Sequence, residues 1–429
     1  MKRREFFKSI GGIGSGFLLA PGLAALPSLP AFKETCAGKS RDEAFWKFLR
    51  EQFLLPKDYT YLNTGGLGSS PLPVRNRVKQ EMDAEDAHPG PSHDEKNWWK
   101  IKEKCAALLG TGVKKEELAL TGTATEGINI ILNGLPLKKG DEIITSTHEH
   151  VALNVPLLNK IKSACLVIKT FVPDLRNSCG CIERIEKLVT KKTRLIFTSH
   201  ITCTTGQVFP VKEIGQLAKS KGLWYALDGV QAVGQIPVNL KETGVDFYAV
   251  SGHKWLLAPR RTGILYVRQS LLDTLKPTVL GTYSSENYDL RKHRIELHPT
   301  AQRYEYGTQN EALFYGLGDA VDFITTIGIG AVRDHNKQIA ENFVKALKNI
   351  PGAELLSPAQ EKHRSALISF RIRGRESSKI CTLLGRKGIR VRHVQEAGLD
   401  GIRVSFHVYN SKKESDRLSE ALREITRST

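Results

Sequence analysis

The chain has 429 residues, enough for two domains and a large buried core. Hydrophobic residues make up 40% and charged residues 25%, an ordinary globular balance that excludes a disordered or fibrous chain. The formal charge of +18 is scattered without a long basic run, which points to a solvated surface and an anionic small ligand and away from nucleic acid.

Met1-Lys2-Arg3-Arg4-Glu5-Phe6-Phe7-Lys8 leads into a glycine-interrupted apolar stretch, 10–26, with small residues at Ala24-Ala25 and Pro30-Ala31. A basic start, an apolar run and small residues read as an export leader over 1–31. The paired arginines resemble a twin-arginine signal, so an exported, periplasmic protein is expected. The stretch is short for a membrane span and broken by Pro21, so membrane contact is expected only through an uncleaved leader. The seven cysteines (36, 105, 165, 179, 181, 203 and 381) are too irregular for a disulfide framework, and none sits in a metal-ligand spacing.

Residues 40–56 predict an amphipathic helix carrying Phe45, Phe48, Leu49, Gln52 and Phe53, within an N-terminal segment (32–60) expected to pack on the smaller domain. Short apolar runs at 143–144, 166–171, 195–198, 223–227, 247–250 and 264–267 alternate with helical patterns such as 181–189 and 211–220. That alternation predicts an α/β domain over 61–290, with a mostly parallel central sheet and helices on both faces. Helices are expected at 312–327 and 331–348, then strands at 366–372 and 402–406 flanking a helix at 376–386, then a last helix at 412–427. They predict a smaller C-terminal α+β domain over 291–429.

Two strand ends carry the chemistry. The 223–227 run ends on Asp228-Gly229-Val230-Gln231, and the 247–250 run ends on Ser251-Gly252-His253-Lys254-Trp255. A carboxylate and a lysine delivered to one sheet edge suit an aldehyde cofactor: the lysine forms a Schiff base and the acid keeps a pyridine nitrogen protonated. Thr121-Gly122-Thr123-Ala124-Thr125-Glu126-Gly127 opens a helix whose N-terminal N–H groups suit a phosphate. Thr147-His148-Glu149-His150 and Ser199-His200-Ile201-Thr202-Cys203 follow other strands. Glu305-Tyr306-Gly307-Thr308, Arg390-Val391-Arg392 and Ile402-Arg403 lie further on.

From about Tyr61 to Leu422 this combination resembles the class V branch of the fold-type-I enzymes dependent on pyridoxal 5'-phosphate (PLP). That branch holds cysteine desulfurases, isopenicillin N epimerase-like proteins and class V aminotransferases. The resemblance implies a PLP-dependent transferase fold, with Lys254 as the Schiff-base lysine and Asp228 on the ring nitrogen. It also implies Ala124, Thr125, Ser251 and His253 at the phosphate, and either His150 or His148 stacked on the ring. Where desulfurases have asparagine this chain has Cys203, expected to pack as a small residue under the ring, so Thr202 or Gln231 is expected to carry the contact to the ring oxygen. Arg392 is expected to clamp a substrate carboxylate, with Arg403 as readily structural. Thr308 is expected to reach the partner's phosphate across a homodimer.

Desulfurases need a cysteine on the loop after the substrate arginine, and the 393–401 loop (HVQEAGLDG) has none. The expectation is an enzyme acting at the Cα of an amino acid, an aminotransferase or epimerase. A C–S or β-lyase is the alternative, and a PLP-binding protein with little catalysis is the alternative of another class.

Overall fold

The computed structural model describes residues 27–90, 94–175, 178 and 180–427. The expected leader lies almost wholly outside them. Its last residues, however, open a helix, α1 (Leu29–Cys36), with Leu29 and Phe32 buried. The folded body therefore begins before residue 32.

Seven strands form the large sheet: β1 (Leu118–Thr121), β2 (Glu142–Ser146), β3 (Val167–Phe171), β4 (Thr193–Ser199), β5 (Trp224–Asp228), β6 (Phe247–Ser251) and β7 (Gly263–Val267). Their order is β1-β7-β6-β5-β4-β2-β3. Only β7 runs against the others, since it pairs antiparallel with both β1 and β6. The expected mostly parallel α/β sheet is present. Alternate residues of each strand enter two different cores. Tyr248 and Val250 of β6 join one and Phe247 and Ala249 the other, which is the period-two pattern of a sheet covered on both faces. The short strand β1 was not anticipated, because four residues give too little alternation to read. Nor was the exposed hairpin Ser285–Asp289/Arg294–Leu297.

Four strands make a second, antiparallel sheet: β8 (Ala353–Leu355), β9 (Leu367–Ile372), β10 (Arg392–Val394) and β11 (Gly401–Ser405), in the order β8-β9-β11-β10. Its core includes Ile339, Phe343, Ile368, Phe370, Leu384, Val404 and Leu418. The helix Lys412–Arg427 covers it, with Leu418, Leu422 and Ile425 facing inward.

The packing at two boundaries crosses the expected divisions. Ala301 and Tyr304 join the core of the first sheet, and so does the helix α2 (Glu311–Ile327) through Phe314, Leu317, Phe323 and Ile324. After residue 291 the second core takes its first member at Ile339, and Leu62 and Trp255 also join it. The segment 32–60 packs on α2 as well as on the small domain: Phe32 stacks on Phe323 at 4.3 Å and Lys33 pairs with Asp322 at 2.7 Å. Trp46 stacks on His335 and Phe53 meets Tyr409, and the end of the segment joins the small domain: Thr60 pairs in parallel with Ile389, and Arg417 Nη1 donates to Asp58 O at 2.8 Å. Within that segment the helix is shorter than expected, Glu43–Arg50, started by Asp42 accepting from the Phe45 N–H.

Candidate active site

The carboxyl ends of the parallel strands meet the second sheet at a cavity of about 220 Å³. Open α/β sheets place ligands at that edge. Its walls include Thr123, Ala124 and Thr125 after β1, His150 after β2, Asp228 at the end of β5, and Ser251, His253 and Lys254 at the end of β6. Arg392 and Arg403 close it from the small sheet, and Gly65 and Gly66 from the N-terminal side. A larger cleft, about 500 Å³, opens at the opposite ends of the strands. Two of its cations are already paired, Lys241 with Glu117 and Arg268 with Asp246.

The helix α3 (Ala124–Gly134) points its N-terminus at the cavity. Thr123 caps it by accepting from Glu126 N at 3.2 Å, and the Ser251 hydroxyl accepts from Ala124 N at 2.8 Å. Thr125 is left exposed to the cavity mouth. Beside it, His253 Nδ1 is buried with no hydrogen-bond partner among the described residues. An orphaned ring nitrogen, a helix N-terminus and hydroxyls fit a phosphate.

Asp228 is buried, and its Oδ1 accepts from Val230 N at 2.9 Å. Burial raises its pKa, opposed by that N–H and by Lys254. Such an acid suits a protonated ring nitrogen. Lys254 is likewise buried, and no ion pair holds its ammonium among the described residues. Burial pushes its pKa down to about 8; Arg403 and Arg392 act in the same direction and Asp228 opposes them. These residues together fit PLP: a phosphate cradle, an acid for the ring nitrogen and a lysine of lowered proton affinity for the aldehyde.

The two histidines are separated by their surroundings. His150 lines the cavity, and its Nδ1 accepts from Ala152 N at 3.1 Å at the start of the helix α4 (Val151–Ala164). That bond places the ring proton on Nε2. Burial, Lys254 and Arg392 push its pKa to about 4, so it is neutral. His148 is buried behind the wall, bonded through Nδ1 to the Thr204 hydroxyl at 2.9 Å. It does not line the cavity, contrary to its inclusion among the cofactor contacts.

Three more expected contacts are turned elsewhere. The Thr202 hydroxyl bonds Thr205 and accepts from Gln207 N, closing a tight turn. Gln231 uses both ends of its amide, donating to Gly65 O at 2.9 Å and accepting from Trp255 Nε1 at 2.7 Å. Cys203 is buried, burial pushes its thiol up to about 11, and its carbonyl accepts from Arg403. None of the three lines the cavity. Thr308 is exposed and does not line the cavity of its own chain.

Sequence reasoning underrated Arg403 and missed Gly65, Gly66 and Glu149. Glu149 is fully buried behind Asp228, held by the Ser146 and Ser199 hydroxyls. Its place between two histidines was the available signal. Arg403 is 1% exposed and pairs in register with Arg392, so one face of the small sheet presents two guanidinium groups.

Comparison with known proteins gives a consistent picture. The family model described as aminotransferase class-V matches residues 85–418. A probable cysteine desulfurase of Methanothermobacter thermautotrophicus is 28% identical over 398 residues, covering 88% of this chain and 97% of the relative. An isopenicillin N epimerase of Streptomyces clavuligerus is 28% identical over 400 residues, covering 89% and 99%. The apo structure of a cysteine desulfurase from Thermococcus onnurineus NA1 superposes with a TM-score of 0.81 at 24% identity, covering 89% of this chain and 98% of that one.

Proposed function

This chain belongs to the aminotransferase class-V family of PLP-dependent enzymes, and we propose that it breaks the Cα–H bond of an amino acid, acting as an aminotransferase. One observation carries this reading. Of the side chains lining the cavity, Lys254 has a pKa of about 8, while burial pushes His150 and His253 to about 4. Lys254 is thus the basic side chain of the wall that can exchange a proton near neutral pH, and no cysteine lines the cavity.

When bound, the cofactor supplies an aldehyde for the substrate amine and a ring that draws electrons from Cα. The N-terminus of α3, Ser251 and His253 would hold its phosphate, Asp228 would keep its ring nitrogen protonated, and His150 would stand against the ring. Arg392 and Arg403 orient the substrate carboxylate. Lys254, as a free amine, would take the proton from Cα and return it from its own side of the cavity. One base that collects and returns a proton suits transamination. Epimerisation needs a second acid–base group on the opposite face, and neutral His150 is poorly matched to that task.

The desulfurase relatives favour a second reading, C–S lyase chemistry. A persulfide route needs an accessible protein thiol. Cys203 is buried, and Cys381 stands on the helix Ser377–Arg386 with its thiol pushed up to about 12. Among the described residues no cysteine lines the cavity, which favours a lyase that frees sulfur directly over a persulfide route.

Stopped-flow absorbance of the holoenzyme against L- and D-amino acids, with product analysis, tests the choice. A keto acid with amine-form cofactor supports transamination. The mirror-image amino acid would replace it with epimerisation, and pyruvate plus sulfide with lyase chemistry. No response to any amino acid would overturn all three.

The same proposal includes a homodimer in which exposed Thr308 reaches the partner's phosphate site. Sedimentation of the holoenzyme as a monomer would remove it. It also includes export by the twin-arginine route, on the strength of Arg3-Arg4 and the apolar stretch after them. Replacing both arginines by lysine should hold the protein in the cytoplasm on fractionation.

A further inference from the structure

Arg392 and Arg403 stand directly opposite each other on β10 and β11, and both line the cavity. Like charges in that register repel, and burial sharpens the penalty. Arg403 is steadied by oxygens: Nη1 donates to Cys203 O at 2.8 Å and Nη2 to Asn63 Oδ1 at 3.1 Å. Arg392 has a carboxylate, since its Nη2 donates to Glu396 Oε1. Two guanidinium nitrogens remain buried without partners among the described residues, Arg392 Nη1 and Arg403 Nε.

Glu396 is half-buried and does not itself line the cavity. The turn after it brings it back onto Arg392: Ala397 has φ 58° and Gly398 φ 70°. A left-handed alanine is uncommon, and the turn is tied by Gln395 N donating to Glu396 Oε2 at 3.1 Å. The carboxylate therefore grips one edge of Arg392 from outside the cavity.

We propose that Glu396 is a positioning residue that fixes Arg392 so that its free Nη1, with Arg403 Nε, receives the two oxygens of one substrate carboxylate. This rests on the reading of Arg392 as the substrate clamp given above. Glu396 stays in place when substrate binds. Its charge also offsets one of two facing cations, which keeps the pair in register while the site is empty.

Glycine and methylamine differ by the carboxylate alone, so spectral titration of the holoenzyme with each isolates its contribution. In Glu396→Ala the apparent Kd for glycine should rise about tenfold while that for methylamine stays within about twofold. Glu396→Gln, which keeps an acceptor on Arg392, should recover part of the loss. Equal weakening for both amines, or unchanged glycine binding in Glu396→Ala, would overturn the proposal. Tighter glycine binding would also overturn it, because Glu396 would then be competing with substrate. If the wild type responds to neither amine, the reading of the site as amino-acid-binding fails first and the role of Glu396 falls with it. If it responds to both but without preference for glycine, the cofactor site stands and the carboxylate clamp does not.

Discussion

A methyl group on Gly68 would lie 2.1 Å from the carbonyl oxygen of Lys254. The two backbones are already tied, because Gly68 N donates to His253 O at 2.7 Å. The N-terminal loop is thus a template on which the lysine segment rests. Gly68→Ala must push the 253–255 backbone away, and the site tolerates displacements of well under 1 Å. The expected result is a folded protein whose kcat falls by about a hundredfold or more, with weakened cofactor retention. Wild-type turnover in Gly68→Ala, measured alongside a thermal melt, would refute the template.

Lys254 must be neutral to attack an aldehyde. With its pKa held near 8 by burial, the rate of cofactor capture by the apo-protein should rise about tenfold per pH unit below 8 and level off above it. The same shift sets the sign for stability. Burial lowers the native pKa below that of the unfolded chain, so the unfolded state binds more protons between about pH 8 and 10.5. The apo-protein should therefore gain stability as pH rises through that window, and Lys254→Met should lack the gain. Rapid-mixing absorbance checks the first claim and urea midpoints at pH 8 and 10 the second; a capture rate flat from pH 6 to 9 would contradict the depressed pKa.

Much of this arrangement could be read from short stretches of the chain. Asp228, Lys254 and the opening of α3 each sit where one strand ends, so local pattern placed them. Arg403, Gly68 and Glu396 could not be found that way. Their roles come from pairings distant in sequence: Arg403 opposite Arg392, Gly68 under Lys254, and Glu396 behind an arginine at the end of an irregular turn. The choice between His148 and His150 turned on the same kind of information, since only the packed structure shows that Thr204 takes the first. Nor could local pattern show that α2 packs on the first core, because a helix with this many apolar residues does not reveal which core receives it.

Among the described residues Glu149 has no cation paired with it, and burial pushes its carboxyl up to about 7, with Asp228 adding to the rise and the Ser146 and Ser199 hydroxyls opposing it. Between about pH 4.5 and 7 the native state then holds a proton that the unfolded chain has lost. Its stabilising contribution is full below about 4.5 and disappears as pH rises through about 7. Glu149→Gln cannot lose that proton. Comparing urea midpoints of the apo-proteins at pH 5 and 8, the wild type should fall relative to the variant, by up to about 3 kcal/mol. Parallel profiles for the two proteins would mean that Glu149 is ionised throughout.

Lys102 and Glu305 form an ion pair of 2.8 Å with both side chains almost fully buried. Glu305 also accepts from Trp98 Nε1 at 2.8 Å and from Leu120 N at 2.7 Å. It therefore binds the helix Glu95–Leu109 and strand β1 to the start of the loop that carries Thr308. Removing one partner of such a pair leaves a charge uncompensated, which costs about 3–5 kcal/mol, far more than an exposed pair. Lys102→Met should lower the denaturation midpoint by that amount. Glu305→Gln keeps an acceptor for Trp98 and Leu120 but strands the lysine, and should cost nearly as much. The double variant removes both charges, so its loss should be smaller than the sum of the single losses by at least about 2 kcal/mol. Additive losses in that cycle, measured by urea unfolding, would show that the two charges act independently and that the loop is held by the neutral hydrogen bonds alone.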